Sequence, residues 1–196
     1  YLLPAPPGAR VWATTPLDKV LRESSPPVET GTGLYASAAK NEFEPLQFVL
    51  ASDTNVSASI AISSWSGPGT LPSPELRRVE YVRVRTPSDA SSIASAEVPD
   101  PLVKTTFGAS ESLRAGQNQP FWITIRVPSD AVAGDYTASL TITIGGQQQV
   151  VPVQLHVFDF AIPTSIGFDG NWNGSFQALG GSTSLEAVER LKTFFF

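Results

Sequence analysis

Hydrophobic and polar positions alternate along most of this chain, and the alternation has a period of two. Val56-Ser57-Ala58-Ser59-Ile60-Ala61-Ile62 keeps that period without a break, as a half-buried strand requires. Phe121, Ile123, Ile125 and Val127 fall on one face of the next such segment, with Trp122, Thr124 and Arg126 on the other. Tyr136 to Ile144 alternates as well, and Gly145-Gly146 turns it back into Val150 to Phe158, the strongest hairpin signal in the sequence. Val11-Trp12-Ala13-Thr14 predicts a first strand, ended by Pro16. Glu42 to Leu50 predicts another, apolar at Leu46, Phe48 and Leu50 with Gln47 opposite. Pro45 cannot donate to a ladder, which places that end of the strand at a sheet edge. In Val79 to Val84 the apolar parity changes between Tyr81 and Val82, so either both faces are covered or a bulge intervenes.

Between these segments lie turns. Residues 1–9 form a proline-rich extended lead-in, 17–33 are turn-rich, 67–74 are a Pro/Gly loop, and 86–112 read as a long polar connection containing Pro99-Asp100-Pro101-Leu102. Val127-Pro128-Ser129-Asp130-Ala131-Val132-Ala133-Gly134-Asp135-Tyr136 combines a strand end, a Gly-closed turn and a tyrosine placed for burial. Regularly spaced strands with turn signals and no helical period predict an all-β fold, an antiparallel β-sandwich of Ig-like or jelly-roll-like type, over residues 10–163.

After Pro163 the pattern changes. Residues 165–168 fit a short strand. Thr183 followed by Glu186 has capping-box spacing, and Leu185, Val188, Leu191 and Phe195 share one helix face. Residues 164–196 are therefore expected to open a second domain, the first βα unit of a truncated (β/α)8 barrel. Phe194-Phe195-Phe196 would leave three large rings with little to cover them, so the chain end reads as a cut.

Composition narrows the function classes. Hydrophobic residues make up 41%, enough for a sandwich core, while charged residues are only 16%, below the roughly 25% of average globular domains. Ser, Thr, Gln and Asn must then supply the polar surface, as in many secreted sandwiches. The net charge of −5 and the lack of a basic cluster longer than Arg77-Arg78 argue against nucleic acid as a partner. No cysteine is present, so disulfides and thiolate metal sites are excluded. No apolar run approaches a membrane span. No cofactor and no metal site are expected.

Several short motifs, taken together, resemble one family. Ala39-Lys40-Asn41-Glu42-Phe43-Glu44-Pro45-Leu46-Gln47 resembles a signature in the N-terminal sandwich of proteins related to glycoside hydrolase family 123. Val98-Pro99-Asp100-Pro101-Leu102, Gly116-Gln117-Asn118-Gln119-Pro120-Phe121-Trp122 and Val157-Phe158-Asp159-Phe160-Ala161-Ile162-Pro163 resemble further pieces in the same order. The resemblance covers roughly residues 10 to 165. It implies a bacterial protein that is secreted, periplasmic or on the cell surface, with a catalytic barrel C-terminal to the sandwich as this domain's partner. It also implies release of β-linked N-acetylgalactosamine, assisted by the substrate's own acetamido group, with a barrel Glu as general acid and a barrel Asp orienting that group. Neither acid falls on a position of this sequence. The parent is expected to be a glycosidase and this chain alone inactive.

Candidate sites within the chain differ in the chemistry their residues can support. Glu42 and Glu44 share a strand face, but a glycosidic acid pair needs about 5 to 9.5 Å across a cleft, so a structural role is preferred. His156, the only histidine, is placed outward on its strand with no acidic neighbour in register. Ser63-Ser64-Trp65-Ser66-Gly67 and Gly180-Gly181-Ser182 lack the strand-to-helix elbow of a nucleophile. Asp53, Asn55 and Asp89 read as turn formers, and Asn55 and Asn173 begin glycosylation sequons. The carbohydrate-contact candidates are Asp169, Asn171 and Trp172, on a loop that would lie at the mouth of the barrel. Two alternatives remain. A carbohydrate-binding module would use Trp12, Trp65, Trp122 or Trp172, and an adhesive Ig-like domain would lend the arm Tyr1-Leu2-Leu3-Pro4 to a neighbour.

Overall fold

The computed structural model describes residues 1–85 and 97–165. Its strands are β1 (Leu2–Leu3), β2 (Ala9–Thr14), β3 (Leu34–Lys40), β4 (Glu42–Ser52), β5 (Val56–Ile62), β6 (Glu75–Arg83), β7 (Glu97–Lys104), β8 (Glu111–Leu113), β9 (Asn118–Val127), β10 (Gly134–Ile144) and β11 (Gln147–Ala161). They form a β-sandwich of two sheets, in the orders β1-β2-β4-β9-β6-β7 and β3-β11-β10-β5-β8. The chain divides into two compact units at Pro163, and all these strands belong to the first. The expected barrel opening, with its helix after Thr183, lies outside the described residues.

The core sits between the sheets, and the period of two builds it. Phe121, Ile123 and Ile125 of β9 face Leu140 and Ile142 of β10 across the layers, all fully buried. Phe48 of β4 stacks on Phe121 with centroids 5.7 Å apart and planes at 20°. Tyr136 is buried to the hydroxyl, which donates to Val132 O at 2.7 Å. Its ring lies against Gly67, where a Cβ would collide with it. At the hairpin tip Gly145 and Gly146 hold φ of 57° and 82°, the left-handed pair that a two-residue turn of this hand demands.

The structure departs from the sequence expectations in three places and decides between two open readings in a fourth. The lead-in is not merely extended: Leu2–Leu3 pairs antiparallel with Val11 and Trp12 of its own chain, so the arm is taken up at home. β3 was not anticipated, because Ala36-Ser37-Ala38-Ala39 carries little apolar contrast. It pairs parallel with β11, so that sheet is mixed and not purely antiparallel. β7 and β8 lie inside the stretch read as a connection. β7 pairs only with β6, at a sheet edge, the place where Pro99 and Pro101 cost no ladder bonds. The parity change in β6 is a bulge, with the register shifting between Val79 and Tyr81.

A second, smaller apolar layer covers the outer face of the first sheet. Trp12, Val49 and Ala51 point away from the main core and are buried beneath Val20. Residues 15–29 thus form a strap across that face.

Candidate functional site

The segments that carry the family resemblance hold the strap and the sheet corner in place. Gln47 donates through Nε2 to Thr15 O and Asp18 O, at 2.8 and 3.1 Å. Asn118 donates through Nδ2 to Leu21 O and Ser24 O, at 2.9 and 2.8 Å. Gln119 reaches Val79 O at 2.8 Å. These three side chains are buried, and each bond satisfies a main-chain carbonyl that would otherwise lose its water. Arg22 lies 3.8 Å above the Tyr81 ring and bonds Glu97 at 3.0 Å, while Tyr81 Oη donates to Val20 O. Burial pushes the Tyr81 hydroxyl up to about 12, against the opposing pull of Arg22.

Asn41 and Glu42 shape the corner between β3 and β4. Asn41 sits at φ 64°, a left-handed position that Asn tolerates better than most residues. Its Nδ2 donates to Ile162 O at 2.9 Å, and Glu42 accepts the Ala39 amide at 2.6 Å. Glu42 and Glu44 do share a face, and it is the inner one, opposite Val127 and Ile125. Inward-pointing charge on an unpaired stretch is a known guard against edge association. β2 pairs only with Gln47–Ser52 of β4, which leaves Glu42–Leu46 without a neighbour on that side, as Pro45 suggested. The opening is a groove of about 730 Å³, lined by Tyr1, Trp12, Ala13, Leu34, Tyr35 and Glu44 among others.

Burial first, and then the charge of Glu42, raises the Glu44 carboxyl above 4.5. The folded state therefore holds this proton more tightly than the unfolded chain does. The matching stability is full below pH 4.5 and is lost as pH rises through the folded value. Glu44→Gln should raise the thermal midpoint at pH 7 and leave it unchanged at pH 4. A midpoint that falls at pH 7 would show that the carboxylate is needed in its charged form.

His156 points outward as expected, but it has an acidic neighbour after all. Asp135 is its register partner across the hairpin, with Nδ1 and Oδ1 2.7 Å apart. The two-residue turn fixes that register, so counting back from Gly145-Gly146 would have found the pair. Both side chains are well exposed, and no third polar side chain bonds either of them among the described residues, so the pair is a surface contact. Asp53 pairs with Arg10 and Asn55 accepts the Ala115 amide, so both make contacts distant in sequence, while the local turn bond is the Thr54 amide donating to Ser52 Oγ. Ser66 is held by a bridge to Thr137. Trp12 is buried, and Trp65 and Trp122 are partly so. Asp169, Asn171, Trp172 and Asp89 lie outside the described residues. No cluster of metal-ligating side chains occurs among the described residues, nor any helix long and apolar enough to cross a membrane.

The buried amide anchors and the Asn-Glu corner lie within the stretch that a comparison with known families picks out. A sequence profile described as "Glycoside hydrolase 123 N-terminal domain" matches residues 21–144, well over half the chain. The chain belongs to that family. Among solved structures, a family 123 glycoside hydrolase from Clostridium perfringens superposes with a TM-score of 0.58 at 14% identity, covering 69% of this chain and 24% of that one. This glycoside hydrolase 123 N-terminal domain thus spans about a quarter of the enzyme it resembles. Weaker likenesses extend to Spo0M, a sporulation control protein of Bacillus subtilis (TM-score 0.35, 13% identity, 76% of this chain and 49% of that one). The PapD-like domain 7 of human CEP192 stands at the same level (TM-score 0.35, 13% identity, 76% and 99%). No curated protein matches the sequence.

Proposed function

We propose that this chain is the non-catalytic sandwich of a secreted bacterial glycosidase. In this reading it supports a catalytic (β/α)8 barrel that begins after Pro163 and acts on glycans containing N-acetylhexosamine. The family match over residues 21–144 carries the reading. The chemistry within the sandwich supports it, because the paired carboxylates Glu42 and Glu44 face inward and Glu42 is spent on a main-chain amide. Among the described residues neither is placed across a cleft from another acid, as glycosidic cleavage requires. Composition supports secretion, with few charges and a surface rich in Ser and Thr.

The test is hydrolysis of p-nitrophenyl N-acetyl-β-galactosaminide. The chain alone should release no p-nitrophenol above the buffer rate, while the parent protein with its full barrel should. Turnover by the isolated chain, abolished by Glu44→Gln, would place the chemistry in the sandwich and overturn the proposal.

A further inference from the structure

The strap covers only part of the outer face of the six-stranded sheet. Beyond Gln47, which lies under the strap, the same register row runs on through Trp122, Arg77 and Lys104 across β9, β6 and β7. The next rows place Thr124 beside Pro45 and Glu75, then Arg126 beside Phe43. Phe43 is 65% exposed, although it sits in the middle of a signature segment. The Arg126 guanidinium lies 5.9 Å from its ring centroid. Phe43, Thr124, Arg126, Glu75 and Arg77 line a shallow hollow of about 570 Å³. Trp122 borders a smaller one of about 200 Å³ beside Lys19 and Asp100.

Charge on this patch runs against the rest of the molecule. The chain carries −5 overall, yet Arg77, Lys104 and Arg126 meet here with Glu75 as the only carboxylate in the same rows. Glu75 bonds Arg77 at 2.9 Å. Arg126 and Lys104 have no carboxylate partner among the described residues. Adjacent strands lie about 4.8 Å apart and alternate residues about 7 Å, so the patch, three strand gaps wide, measures about 14 by 14 Å, the footprint of a short oligosaccharide.

We propose that this face is a binding subsite for an acidic saccharide, a sugar bearing a carboxylate or a sulfate. The exposed ring of Phe43, with the partly buried Trp122 beside it, presents apolar surface to the CH face of a pyranose. Arg126, pre-positioned over Phe43, keeps its fork of donors free for a bidentate anion contact. Arg77 and Lys104 complete the cationic side, and Thr124 and Glu75 serve sugar hydroxyls. Nucleic acid fits poorly, because three cations on a patch this short cannot follow a phosphate backbone. The choice of a saccharide over other anions rests on the glycosidase reading above, whereas the site's geometry does not.

The test is calorimetric titration of the full chain with three probes. These are a chondroitin 6-sulfate tetrasaccharide, sialyllactose as a carboxylate-only ligand, and the desulfated, carboxyl-reduced tetrasaccharide as a neutral control. At least one acidic probe should bind about tenfold more tightly than the neutral one, the two acidic arms separating sulfate from carboxylate recognition. Arg126→Ala should weaken that binding about tenfold, the loss of one charge-assisted contact, and Arg126→Lys should fall between. Arg126 is exposed, so its variants are expected to fold, which an unchanged circular dichroism spectrum checks. Equal binding of acidic and neutral probes, no binding at millimolar ligand, or an unaltered affinity in Arg126→Ala would each overturn the subsite. The supporting role is judged separately by hydrolysis, so the two can fail independently.

Discussion

Truncating Phe121 to alanine should lower the free energy of unfolding by about 3–5 kcal/mol and the melting midpoint by about 10 °C. The ring stacks on Phe48 at the centre of the first sheet, and both residues are fully buried. β9 is paired on both sides, by β4 and β6, so little backbone relaxation can close the cavity. Phe43→Ala is the matched control. It removes the same side chain from the adjacent strand β4, but from an exposed position, and should change stability by less than about 0.5 kcal/mol. Denaturant melts of the two variants measure the difference. Equal losses would mean that the inner and outer faces of this sheet have been assigned wrongly.

The second large effect concerns the ion pair between the layers. Arg78 lies opposite Phe121 in register and so points inward. Its guanidinium meets Glu111 of the other sheet at 2.8 Å, and Glu111 also accepts from Thr105 at 2.6 Å. Glu80 lies 2.8 Å from Arg78 Nε, close but not aligned as a hydrogen bond. Glu111 is only 9% exposed and the Arg78 side chain 22%, so removing Glu111 leaves a largely desolvated guanidinium with Glu80 as its one remaining carboxylate neighbour among the described residues. Glu111→Ala should destabilise by on the order of 3 kcal/mol. The double variant Arg78→Met, Glu111→Leu should recover most of that loss, because apolar packing replaces two desolvated charges. A double-mutant cycle by urea unfolding reads the coupling. If the double variant is worse than either single change, the pair contributes more than its own desolvation costs.

What could be read from the residues follows from where burial is one-sided. β9, β10 and β11 have one face in the core and one in solvent, so Phe121 to Val127 and the hairpin about Gly145-Gly146 were plain. β3 was hidden because its small residues Ala36, Ser37 and Ala38 make no hydrophobic contrast, even though Ala38 is buried. β7 was hidden because Pro99 and Pro101 resemble a loop, and only its edge position makes them tolerable. The strap could not be read at all. Its anchors Gln47, Asn118 and Gln119 are polar residues buried by partners 29 to 97 positions away for Gln47 and Asn118, and 40 for the Gln119 bond to Val79, a separation no local pattern encodes. The exposed patch of Phe43, Trp122 and Arg126 was half visible, since Trp122 and Arg126 clearly shared a face. Their meeting with Phe43 and Arg77 needed the order of the strands.

The central claim is that Tyr1–Pro163 is a sandwich with its own core that folds as one unit. Thermal unfolding of that fragment beside the full chain tests it most directly. The account predicts one cooperative transition for the fragment, with the midpoint of the sandwich transition in the full chain. A fragment that fails to fold, or melts without cooperativity, would contradict it.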